Sequence, residues 1–111
     1  MRFMVAAALS LAGFFSSTAQ SPVPVAGEPR HHLKFENSYV RVFDVMVPPG
    51  DATLFHIHSN DYVFVTIGDA LLKAEVLGSE PADLILKNGE VRFSKGPITH
   101  RVTNMAINSI S

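Results

Sequence analysis

From residue 30 onward, short runs rich in β-branched and aromatic residues alternate with clusters of Gly, Pro, Asn and Asp. The runs 31–36, 39–47, 52–58, 62–67, 70–77, 82–87, 90–93, 98–103 and 106–110 read as strands, and no stretch carries the period of an amphipathic helix. Pro48-Pro49-Gly50-Asp51, Ser59-Asn60-Asp61, Gly68-Asp69, Gly78 to Pro81 and Asn88-Gly89 supply turns. Turns recurring at this short spacing predict an all-β sandwich or barrel. Asn88-Gly89, between ADLILK and EVRF, is the strongest hairpin signal, because a type I′ turn wants positive φ at both central residues. Phe43, Phe55, Val63, Phe64, Val65, Ile67, Leu84, Leu86 and Phe93 are the core candidates. Arg41, Asp44, Lys73, Glu75, Arg92 and Arg101 are expected to point outward by period-two alternation.

The first 29 residues follow a different pattern. Arg2 stands before an apolar stretch from Phe3 to Phe15, and Ser17 and Ala19 put small residues ahead of a cut before Gln20. Residues 1–19 therefore read as a secretory signal peptide standing outside the fold. The Ser16-Ser17-Thr18 stretch interrupts the apolar run short of the roughly 20 residues that a membrane span needs. Residues 20–29, QSPVPVAGEP, hold three prolines and a glycine, which oppose both helix and ladder hydrogen bonding. They read as a tether, leaving 30–111 as one β domain that is secreted or periplasmic, with no stable membrane insertion once the leader is cut.

Charge and composition narrow the chemistry. Nine Lys+Arg face ten Asp+Glu with no like-charge run, so there is no basic stripe to bind nucleic acid. The absence of cysteine excludes disulfides, thiolate metal sites and thiol nucleophiles. Metal chemistry must then rest on the five histidines and the carboxylates. His56 and His58, two apart in a strand-like run, point to one face while Phe55 and Ile57 point to the other. Such a pair can chelate one ion. His31 and His32 are adjacent and so face opposite ways; they read as one surface and one half-buried imidazole, one of them at most bordering a pocket rim.

Gly50, five residues, His56-Ile57-His58 and then Gly68 resembles the first motif of the cupin superfamily. Gly89, His100 and Asn104 fall in register with its second motif, with Gly96-Pro97 in the turn between. The resemblance spans about residues 34–104 of the chain. It implies a single cupin (double-stranded β-helix, or jelly-roll) barrel of short antiparallel strands, with His56, His58 and His100 as ligands of a divalent Fe, Mn, Zn or Ni ion. Two departures matter. Lys95 and Pro97 replace the proline and second glycine of the second motif, and the glutamate of the first motif is missing, its place falling at Asp61 or Tyr62 according to the end counted from. Three outcomes stay open: a three-histidine site with open positions, Tyr62 as weak ligand or neighbour, or Asp61 as a shorter carboxylate ligand.

Related cupins include dioxygenases and isomerases. The resemblance thus implies a metal-dependent enzyme acting on a small molecule, with Tyr62 as candidate proton donor or orienter. The alternative is a non-catalytic module that binds a small ligand without metal. Only MAINSIS follows Asn104, where cupins continue into a closing strand. A truncated barrel with an open edge is therefore expected, and with it a homodimer as candidate assembly.

Overall fold

In the computed structural model, residues 1–8 and 21–106 are described. Among the described residues ten strands form: β1 (Arg2–Ala8), β2 (Val23–Pro24), β3 (His31–Glu36), β4 (Val40–Met46), β5 (His56–His58), β6 (Tyr62–Ile67), β7 (Ala70–Val76), β8 (Ala82–Leu86), β9 (Val91–Ser94) and β10 (Ile98–Asn104). They make two five-stranded sheets, one ordered β3-β4-β1-β6-β9 and the other β2-β5-β10-β7-β8. Every pairing is antiparallel except the short parallel contact of β2 with β5. This is an all-β arrangement consistent with a barrel or jelly roll.

Period-two alternation decides what fills the space between the sheets. Phe3, Val5 and Ala7 of β1, Phe43 and Val45 of β4, and Tyr62 of β6 turn inward to meet Leu72 of β7 and Leu86 of β8. Phe43 and Leu86 are almost wholly enclosed, at 1% and 0% exposure. The opposite parity in β6 and β9 leaves Val63, Ile67 and Phe93 exposed, so these three expected core residues lie on the outer face. Two expected outward charges also move: Asp44 is buried beneath Arg2, which it holds at 2.7 Å, and Arg92 lines the central cavity.

The largest departure lies at the N-terminal end. Arg2–Ala8, expected to stand outside the fold, pairs with β4 on one side and with β6 on the other. The physical reason is that Phe3, Val5 and Ala7 share one parity, so the start of the apolar stretch satisfies a buried strand as well as a leader. The remainder of that segment, 9–19, lies outside the described residues, as does the expected strand 106–110 apart from Ala106. The expected tether is also docked. Val23 and Pro24 pair with His56 and Ile57, Val25 is buried, and Glu28 is 1% exposed.

Two further expectations change. The 52–58 run is a strand only at His56–His58, because backbone groups before it are engaged elsewhere: Leu54 N–H donates to the Glu28 carboxylate, and Thr53 N–H to Val102 C=O. Asn88-Gly89 is no hairpin, since β8 pairs with β7 while β9 pairs with β6. The turn instead carries the chain from one sheet to the other. Asn88 Oδ1 accepts from Gly68 N–H at 2.8 Å, and Gly89, at φ 80°, donates its N–H to Thr66 C=O at 2.7 Å. A side chain at Gly89 would be forced into that left-handed conformation.

Candidate metal centre

β5 and β10 build the first part of the site. His56 and His58 both face inward and are buried at 1% and 2% exposure, as the two-residue spacing requires. His100 lies directly across the ladder from His56, and its ring centroid is 4.6 Å from that of His56 and 5.1 Å from that of His58. Three imidazoles expected to converge are therefore brought together.

A fourth comes from the other sheet. His31, at the start of β3, is buried with its ring centroid 4.6 Å from His56 and 6.1 Å from His58. The His31-His32 pair was expected to hold one surface and one half-buried imidazole; His32 is exposed, but His31 is buried inside the cluster rather than at its rim. One ligand nitrogen from each of His31, His56 and His58 lies within 4.8 Å of the others, so these three could hold a metal ion.

What positions His31 is Glu28. One carboxylate oxygen of Glu28 accepts from His31 Nδ1 at 2.8 Å and from Arg30 N–H at 2.7 Å, while the other accepts from Leu54 N–H at 2.9 Å. Arg30 reinforces the join by donating to Asp51 Oδ2 and Ala52 C=O. The 28–31 segment is thus stapled to the chain that leads into His56. Burial pushes the Glu28 carboxyl up, but the hydrogen bonds from His31, Leu54 and Arg30 outweigh it and hold the group below the usual carboxylate range.

Electrostatics keep the other imidazoles uncharged. Desolvation, chiefly, lowers His56 to about 4, with His31 adding repulsion against the opposing Leu54 carbonyl and Glu28. Desolvation followed by the neighbouring imidazoles lowers His58 to about 2 and His100 to about 3. Neutral imidazole is the form that binds a metal. His56 Nδ1 donates to Leu54 C=O at 2.8 Å, which leaves its Nε2 as the lone-pair nitrogen. That Nε2 and His58 Nδ1 are buried with no hydrogen-bond partner. Two orphaned imidazole nitrogens in one cluster are costly unless they face a further binding partner, and a cation fits that need.

The two candidates for the missing glutamate are placed differently. Asp61 is exposed and accepts from Gly96 N–H at 2.9 Å, pinning the Lys95-Gly96-Pro97 turn. Tyr62 is buried and stacks on His58 at 3.9 Å between ring centroids. Burial pushes its phenol up, and Ser94 opposes this. Asn104 of the second motif is structural: its Nδ2 donates to Val47 C=O at 2.9 Å.

Beside the imidazoles lies a cavity of about 250 Å³. Phe3, Val5, Phe64, Leu72 and Leu84 supply apolar wall, and Arg92 and Ser94 add polar groups. This is below the roughly 300–1,000 Å³ of pockets for drug-sized ligands, so the space suits a smaller molecule. His31 and Glu28 escaped sequence reasoning, because what places them is the long-range contact of Glu28 with Leu54 and parity gives no signal, Leu33 of the same parity being exposed. Phe3 and Val5 escaped it because their stretch reads as a leader. No family model, curated protein or solved structure matches the chain, and the cupin resemblance rests on the motifs and on a compatible two-sheet fold with close histidines.

Proposed function

We propose that this chain is an exported, cupin-like protein that holds a divalent metal ion on buried imidazoles and uses the adjoining cavity to bind or transform a small molecule. The observation that carries this reading is the cluster of His31, His56 and His58, with His100 in ring contact, whose buried His56 Nε2 and His58 Nδ1 have no hydrogen-bond partner. A donor set of imidazoles suits Zn, Fe or Ni, and Mn less well. When bound, the ion would supply a Lewis acid next to the cavity. The protein's own residues support this: Leu54 C=O fixes the tautomer of His56, Tyr62 packs along His58, and mainly apolar side chains wall the adjoining space. Tyr62, buried against His58, is the candidate group for holding or moving a proton.

Export is supported by Arg2, the apolar stretch and the small residues Ser17 and Ala19. Because Phe3 and Val5 come from the same segment, the cavity described here is that of the unprocessed chain.

Elemental analysis of the purified full-length protein, refolded with Fe(II), Mn(II), Ni(II) or Zn(II) in turn and dialysed, tests the reading. Stoichiometric metal is expected, lost in His58→Ala with the β-type circular dichroism retained. Failure of the wild-type protein to retain any of the four ions would overturn the metal centre and favour the metal-free binding module.

A further inference from the structure

We infer that His31 is a ligand of this centre from the sheet opposite His56 and His58, and that Glu28 is the positioning residue that makes it one. The inference rests on the metal-centre reading above and deepens it. Asp61 and Tyr62, where the motif glutamate would fall in sequence, are committed elsewhere: Asp61 to Gly96 N–H at the surface, and the Tyr62 ring to a stack on His58. His31 reaches the cluster from the opposite sheet instead, paired in β3 with Val45 of β4.

The chemistry of the Glu28 contact decides which His31 nitrogen is available. An ionised carboxylate only accepts hydrogen bonds, so His31 Nδ1 carries the proton in the 2.8 Å contact. In the neutral ring, the form that binds a metal, the lone pair is then on Nε2. Carboxylate partners of this kind fix ring orientation and raise the basicity of metal-binding histidines. Glu28 is itself fixed at three points, by His31 Nδ1, Arg30 N–H and Leu54 N–H, and is 1% exposed. A carboxylate so enclosed needs a cationic neighbour or ample hydrogen bonding to be tolerated, and here both its oxygens are satisfied. The Leu54 that donates to Glu28 also accepts from His56 Nδ1, so one residue sets the aim of both imidazoles.

The geometry therefore describes imidazole ligands drawn from both sheets, with the single carboxylate one shell removed. A motif glutamate would put negative charge on the ion directly; Glu28 delivers it through a ring.

The test uses the full-length protein and Zn(II). Long-range proton–nitrogen NMR of the metal-free wild type should show His31 as the Nδ1–H tautomer, and adding Zn(II) should shift its Nε2 together with those of the ligating nitrogens of His56 and His58. Competition with a chromophoric chelator should show Glu28→Gln weakening Zn(II) binding by about 10–100-fold. His31→Gln should weaken it further, with an altered absorption spectrum for the Co(II)-loaded protein. Zn(II) binding with unmoved His31 nitrogens, or wild-type affinity in a folded Glu28→Gln, would overturn the role of His31 and Glu28 while leaving the metal centre intact. A wild type that binds neither Zn(II) nor Co(II) overturns both. The NMR measurement needs no variant, so a substitution that fails to fold does not shield the inference.

Discussion

The two sheets contribute to the cavity in different ways. β5 and β10 are neighbours in one sheet, and their ladder register alone places His56, His58 and His100 together. The other sheet provides His31, Tyr62, Phe3 and Val5 from three strands, aligned only because the two sheets pack and because Glu28 and Arg30 bind the 51–54 segment. The first group is a product of local geometry and the second of tertiary closure. One half of the site should thus respond to protonation and the other to packing.

Acid tests the difference most severely. Unfolded histidines gain protons near 6.5, whereas burial holds His56 to about 4, His100 to about 3 and His58 to about 2 in the folded metal-free chain. Between those limits the unfolded state binds more protons, so stability falls as pH drops below 6.5. Each group contributes at most about 1.4 kcal/mol per pH unit, and the three together about 4 kcal/mol. The melting temperature of metal-free protein should drop steeply from pH 7 to pH 5, and saturating Zn(II) should raise it across that range without removing the slope, because the folded imidazoles are already neutral and the protons are taken up by the unfolded chain. A flat profile without metal would mean that the cluster is hydrated rather than dry.

Packing on the other side comes next. Phe43→Ala removes a ring that is 1% exposed and touches His31 edge-on at 5.8 Å between centroids. A loss of about 3–5 kcal/mol is expected in denaturant unfolding, with metal affinity falling as His31 loosens. Lost stability with unchanged affinity would show that Glu28 alone suffices to aim the ring. The smallest effect belongs to the turn joining the sheets. Gly89→Ala, at φ 80°, should cost roughly 1 kcal/mol and leave metal content untouched.

Legibility in the sequence divides along the same line. The period of two in FHIH and the Gly50 and Gly89 turns made the strands and the pairing of His56 with His58 readable, because those features depend on neighbours a few residues apart. His100 was readable only through the resemblance of the second motif. His31 was not readable, since it follows a proline-rich segment and its direct contact with His56 depends on the long-range Glu28–Leu54 hydrogen bond. Parity could assign a strand two faces but not choose between them, which is why Val63, Ile67 and Phe93 were expected inside and lie outside. Asn88-Gly89 carried the correct glycine conformation and the wrong partner, because the choice between a hairpin and a sheet crossing is made by what β8 and β9 each pair with. Arg2–Ala8 is the clearest case, as one heptapeptide satisfies two patterns at once.

That double identity gives β1 a place in time as well as in space. It precedes every other strand in the chain, yet its ladders are to β4 and β6, so its neighbours emerge from the ribosome about 40 and 60 residues later. Throughout that interval Arg2–Ala8 is an unpaired apolar segment, open to whatever factors inspect nascent chains. Once β6 is complete, the same residues are withdrawn into the middle of a sheet. Under the export proposed above, addressing the chain and closing the sheet compete for the same residues, and slowing translation between β1 and β6 should favour capture.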